Sequence, residues 1–185
     1  MKLKIENKAR NLYNLKNIIK YADIAPLVFF SFDDWKNRKN FFLNKILNSF
    51  KAPYIVRSSF LQEDKKNYSN AGKYLSILNI NKNNIEKSIN TVFQENKKIN
   101  LRDEVLIQPM IKDVIMSGVA FSHDPNLGSP YRLINWTNGE NTTLVTSGKK
   151  SNLWQYFPNN KYNIPKKFKK IINLINELLN VFNNI

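Results

Sequence analysis

The sequence predicts an α+β fold with mixed or antiparallel sheets flanked by helices. Three observations lead there. Stretches with apolar residues at helical spacing alternate with short β-rich runs. Three strand candidates follow one another between residues 104 and 136, with turn signals between the last two. The 185 residues are 42% hydrophobic, enough for one good core or two small lobes.

Taken in order, residues 8–21 read as a helix, with Leu12, Leu15, Ile18 and Ile19 at helical spacing. Pro26 ends that unit, and the nearly continuous apolar run at 27–32 suggests a strand buried on both faces. Asp33 or Asp34 then caps a second helix that can place Trp35, Phe42, Ile46 and Phe50 on one side. Within residues 52–80, a β-rich run from Tyr54 to Val56 delivers Arg57, Ser58 and Ser59 at its end. The acidic pair Glu63 and Asp64 follows in a polar loop, and Ala71-Gly72 opens a second apolar run. Residues 81–98 form an amphipathic helix with Ile85, Ile89, Val92 and Phe93 turned inward.

The strand candidates are 104–111, 117–122 and 131–136, and the last two should pair as an antiparallel hairpin or meander. Asp124-Pro125 and Gly128-Ser129-Pro130 supply the turn signals between them. A further strand is expected at 142–146. Pro165 precedes a last helix carrying Phe168, Ile171, Ile172, Ile175, Leu178, Leu179 and Phe182 on or near one face. The chain ends at Ile185 without another strand, so this face is expected to be exposed and in need of a partner.

Composition narrows the chemistry. There is no cysteine, hence no disulfide, thiolate metal site or thiol nucleophile. The start lacks the apolar core of a signal peptide, and no apolar run approaches the roughly 20 residues needed to cross a bilayer, so a cytoplasmic location is expected. The formal charge of +15 suits a polyanion, although the lysines are dispersed among asparagines and no nucleic-acid reader motif accompanies them. The same field favours an anionic nucleotide. His123 is the only histidine and has no ligand-spaced partners, so it reads as a turn residue and no metal ligands are assigned. The three Asn-X-Ser/Thr matches at Asn67, Asn135 and Asn141 are expected by chance in so Asn-rich a chain.

A strand ending in an arginine and hydroxyls, facing a glycine-containing turn, suits a phosphate. The guanidinium offers forked, permanently charged donors, and glycine lets backbone N–H groups approach the oxygens. The same arrangement also occurs as a solvated strand end. Lys8 likewise reads either as a solvated charge or as a phosphate contact near a helix N-terminus, where free N–H groups and the dipole favour anions.

Three runs carry a family resemblance. VRSSFLQEDKKNYSNAGKYLSILNI (56–80) resembles the "VRSSAxxED…SxAGxxxTxLNV" signature of the N-terminal nucleotide-binding domain of phosphoenolpyruvate synthase and pyruvate phosphate dikinase. VLIQPMIKDVIMSGVAFSHDPNLG (105–128) is similar to that family's "VxVQxMVxxxxSGVxFTxDPxTG". ENKARNLYNL (6–15) resembles the opening "GGKxxNLxxL". Together they cover most of residues 7–150.

The resemblance implies an ATP-grasp-like fold that holds ATP between two α+β lobes and transfers phosphoryl groups with Mg²⁺. It implies an N-terminal lobe over 1–105 and a second, incomplete lobe over 106–185. Carried over by position, Lys8 and Arg57 become ATP-phosphate ligands, Arg57 with a catalytic role and Ser58 beside it. Ala71 and Gly72 fall on the loop over the phosphates, and Gln108, Pro109 and Met110 on the segment whose backbone meets adenine. Glu140 falls on the glutamate of "GLGExxVxG", of which this chain keeps only TNGENTTLVTSG.

Other departures are Glu6-Asn7 in place of the glycine pair before Lys8, and His123 before the Asp-Pro. The family's closing "xDxEFAxxxGxLxxLQxRP" strands, with their metal-holding acid and glutamine, have no counterpart, nor do its phosphohistidine and acceptor domains. The implied function is the ATP-binding portion of a phosphoenolpyruvate-synthase-like phosphotransferase, cut short. It would use Mg-ATP to phosphorylate a small acceptor, pyruvate or glutamine-like, through domains missing here. The short start and YRLINWTNGENTTLVTSG are closer to the capsule-cluster branch that includes L-glutamine kinase. The alternative is a non-catalytic basic module that binds nucleic acid or an acidic partner.

Overall fold

The computed structural model describes residues 2–61, 75–95, 99–139, 145, 151–158 and 163–182. They form two compact units, one comprising Glu6–Leu15 and Ile24–Lys112, the other Met1–Ile5, Lys16–Asp23 and Asp113–Ile185. The fold is α+β with flanking helices, and every strand pair in its two sheets is antiparallel. No helix among the described residues is long and apolar enough to cross a membrane.

The first unit holds helix α1 (Lys8–Leu15) and strand β1 (Val28–Ser31), then α2 (Phe32–Ser49), β2 (Tyr54–Ser59) and β3 (Ser76–Ile80). A short 3-10 turn, Lys82–Asn84, leads into α3 (Ile85–Gln94), and β4 (Glu104–Pro109) completes the sheet in the order β1-β4-β2-β3. Strand alternation divides the sheet's residues. Val28, Phe30, Tyr54, Val56, Val105 and Ile107 face α2 and α3, where they form one buried core with Trp35, Ile46, Ile85, Ile89, Val92 and Phe93. Trp35 also donates its indole N–H to Asn90 Oδ1 at 2.8 Å, tying α2 to α3.

Three expectations are corrected here. Helix α1 ends at Leu15, not at residue 21. Residues 16–23 belong to the same unit as Asp113–Ile185, where the backbone N–H groups of Lys20 and Tyr21 go to the Glu177 carboxylate of that unit's last helix instead of extending α1. Strand β1 is buried on one face only, because it is an edge strand whose helix-covered side carries Val28 and Phe30. The cap of α2 is Ser31, whose Oγ accepts from Asp34 N at 3.1 Å while Asp34 Oδ2 accepts from Ser31 N at 3.3 Å. Asp34 is thus the third helical residue of a capping box.

Burial pushes the Asp34 carboxyl up, but hydrogen bonds from Arg38 and Ser31 outweigh it and hold the group below its ordinary 3.8. A depressed folded value means that the stabilisation is present above the unfolded value and is lost as pH falls through the folded one. Ser31→Ala should therefore cost about 1 kcal/mol at neutral pH. Between about pH 5 and 3 the wild type should lose more stability than Asp34→Asn, as read by chemical denaturation.

The second unit holds β5 (Met116–Phe121), β6 (Arg132–Asn138), β7 (Asn152–Tyr156) and α4 (Lys166–Val181), with sheet order β5-β6-β7. The β5–β6 pairing agrees with the expected hairpin. The strand expected at 142–146 lies outside the described residues except for Val145, which sits in a turn. Strand β7 has no counterpart among the sequence expectations, its short Leu-Trp-Gln-Tyr run being set among asparagines.

The apolar face of α4, expected to be exposed, has a partner. Phe168, Ile172 and Ile175 bury against Ile134, with Trp136, Trp154 and Tyr156 around them. The Phe168 ring lies 4.9 Å from that of Trp154, and Lys167 Nζ sits 3.6 Å from the Trp136 ring centroid. In the same sheet, a Cβ on Gly118 would come within 2.4 Å of the Asn135 carbonyl oxygen, a backbone atom that cannot step aside. Gly118→Ala should destabilise by about 1–3 kcal/mol, the scale of overpacking, with the loss seen in thermal unfolding.

Candidate functional site

The sheet face away from α2 and α3 carries the polar residues. Cross-strand register places Arg57 opposite Leu106, Ser59 opposite Glu104 and Ile55 opposite Gln108. Arg57 therefore shares a face with Glu104 and Gln108, each a diagonal neighbour about 7–8 Å away between Cα atoms. Helix α1 lies on this side. Its first residue, Lys8, donates from Nζ to the Ser58 carbonyl at 3.0 Å. The ammonium is thus at the strand end that carries Arg57, although the two lie far apart in sequence. Both side chains are half-buried.

The seat of α1 is built from a cross-strand pair. Ser59 Oγ accepts from Ala9 N at 2.9 Å. Glu104, 3% exposed, accepts from Asn7 Nδ2 at 2.7 Å through Oε2, and from Arg10 Nε and Nη2 at 3.0 and 2.7 Å through Oε1. The hydrogen bond and charge of Glu104 raise the Arg10 pKa above its ordinary value. Asn7 also caps the helix, its Oδ1 accepting from Arg10 N at 3.1 Å. The expectation of free N–H groups at this helix end is corrected at two positions, because those of Ala9 and Arg10 are already bonded. Asn7, which stands in place of a glycine, works as cap and tether.

Ser58 contributes its carbonyl rather than its hydroxyl on this face. Alternation turns its side chain to the helix-packed side, where Oγ is buried without a hydrogen-bond partner. At the far end of β4, Gln108 donates to the Ala25 carbonyl at 3.2 Å, Pro109 pairs with Tyr54, and Met110 N donates to the Pro53 carbonyl at 2.8 Å. The structure thus gathers Lys8, Arg57 and the Ser58 carbonyl at one end of the face, with Gln108 further along it. Ala71, Gly72 and Glu140 lie outside the described residues, as do Glu63 and Asp64. Buried Asp103 ties the exit of β2 to the approach of β4, accepting from Leu61 N at 3.1 Å and Asn100 N at 2.9 Å.

A family model described as the AMP/ATP-binding domain of pyruvate phosphate dikinase matches residues 41–152, more than half of the chain. The chain belongs to this family. The matched span of the AMP/ATP-binding domain includes Arg57, Ser58, Ala71, Gly72, Gln108, Pro109, Met110 and Glu140, while Lys8 precedes it. No curated protein matches the sequence. Among solved structures, the crystal structure of PH1788 from Pyrococcus horikoshii Ot3 is similar at 15% identity, with a TM-score of 0.38. The match covers 77% of this chain and 55% of that one, so the AMP/ATP-binding domain here spans about half the length of that neighbour.

Sequence reasoning missed Glu104, Asn7 and Arg10 as parts of this site, and it read Ser59 as a phosphate-facing hydroxyl whereas Ser59 Oγ accepts from Ala9 N. A signal was available for the first. Glu104 opens an apolar strand, and a carboxylate buried there requires a partner.

Proposed function

We propose that the first unit binds the phosphates of ATP through Lys8 and Arg57, as the nucleotide-binding part of an ATP-grasp-like phosphotransferase. One observation carries this reading: the hydrogen bond from Lys8 Nζ to the Ser58 carbonyl, which sets an ammonium beside the strand end bearing Arg57. An ammonium and a guanidinium on one side of a sheet suit an anion that carries several charges. Phosphoryl transfer depends mainly on neutralising and aligning charge, so a guanidinium fork and an ammonium are suitable groups for it.

In this reading Ala71 and Gly72 supply backbone N–H groups over the phosphates, and the Gln108–Pro109–Met110 segment meets the base. Glu140 is the family glutamate. The phosphoryl group then passes to a small acceptor, pyruvate or glutamine-like, with a capsule-cluster kinase as the branch. Mg²⁺ rests on the resemblance alone. Among the described residues no three His, Cys, Asp or Glu side chains are grouped to hold a metal ion, and the Glu104 carboxylate is engaged by Asn7 and Arg10. No step is therefore assigned to a metal here. Isothermal titration of the 185-residue chain with ATP tests the proposal. Saturable binding is expected, and its absence rejects it.

A further inference from the structure

We infer that Glu104 is a positioning residue that sets Lys8 for the phosphates, acting through the first turn of α1. The inference rests on the ATP reading above and adds to it a residue that does not itself touch nucleotide.

The geometry is specific. Residues 7, 9 and 10 are each tied to the sheet, and the ties converge on the cross-strand pair Ser59 and Glu104. Lys8 lies between these anchored neighbours, so its Cα has little freedom, and its side chain reaches the Ser58 carbonyl one residue from Ser59. Of the two seats, Ser59 contributes a single neutral hydrogen bond. Glu104 contributes three, all charge-assisted on the acceptor side, and such bonds are roughly twice as strong as neutral ones.

Burial sharpens the argument. Glu104 has 4% side-chain exposure, whereas Arg10 has 52%. A buried carboxylate is tolerated only where its oxygens are satisfied, and α1 provides that satisfaction. The requirement works in both directions. The carboxylate needs Asn7 and Arg10, and meeting that need places the residue between them. A neutral amide at 104 accepts through one oxygen only, so it cannot serve Asn7 and Arg10 through separate oxygens. The turn should then shift or fray while the rest of the sheet, held by backbone pairing, persists.

The test has two arms. In the first, without nucleotide, amine-reactive labelling of Lys8 is followed by peptide mass spectrometry. Glu104→Gln should speed labelling at Lys8 several-fold relative to wild type, while labelling at Lys36 and Lys45 of α2 stays the same. In the second, ATP affinity is measured for Lys8→Ala, Glu104→Gln and the double variant. Each single change should weaken binding about tenfold, and the double variant should be no worse than about twofold beyond the weaker single, because both act through one contact.

Unchanged labelling, or losses that simply multiply, overturns the inference while leaving ATP binding intact. Wild-type protein that binds no ATP rejects the ATP reading, and the inference falls with it even where labelling responds. If Glu104→Gln fails to fold by circular dichroism, Arg10→Gln carries the test. It replaces the half-exposed guanidinium with an amide, keeps the Asn7 tie, and should shift both readouts in the same direction by a smaller factor.

Discussion

Replacing Arg57 by alanine is expected to weaken ATP binding by about 1.5–3 kcal/mol, the range for a hydrogen bond to a charged group, or about 10- to 150-fold in Kd. Arg57 sits two residues before the end of β2, opposite Leu106 of β4, with its backbone held by pairing on both sides. The substitution removes a side chain without removing a strand residue. Its unfolding midpoint should therefore stay close to wild type while the calorimetric affinity falls. Arg57→Lys should recover only part of the loss, because a single ammonium cannot reproduce the paired donors of the fork. An Arg57→Ala protein that binds ATP as tightly as wild type would remove this residue from the site.

Phe93→Ala should be the most destabilising of the changes considered, costing about 3–5 kcal/mol in chemical denaturation. The ring is 1% exposed and lies against two others, Phe32 at 5.0 Å and Phe60 at 6.4 Å between centroids. It joins the start of α2, the residue after β2 and the body of α3 in one apolar contact. Truncation leaves a cavity between close-packed elements, which relax only partially to fill it. Phe41→Ala on α2 is the matched control. Its ring is 56% exposed, and its loss should stay within about 0.5 kcal/mol. Equal losses at the two positions would contradict the packing described here.

Much of the local structure was legible in the residues. Ile85, Ile89, Val92 and Phe93 stand at helical spacing and all four are buried on α3. The turn residues between β5 and β6 announced an antiparallel pair, and the two strands do pair. The misses share one cause. Where α1 stops, which residue caps α2, and what covers α4 each depend on a competing partner. Residues 20 and 21 found a carboxylate 157 and 156 positions away. Asp34 found a better acceptor in Ser31 and became its reciprocal partner. The α4 face found a sheet that includes β7, a strand too short and polar to stand out.

The sequence alone determined the order of elements as far as β6, the family motifs and the identity of Arg57 as a cation near a strand end, because these depend on neighbouring residues and on residue type. Only the tertiary structure decided that Lys8 meets the same strand end, across 50 positions, and that Glu104 holds the helix that brings it there, across 94 and 97. Alternation could place Glu104, Leu106 and Gln108 on one face. What lies over that face follows from a buried carboxylate's need for donors, and that need is met only by a segment brought in from the far end of the chain.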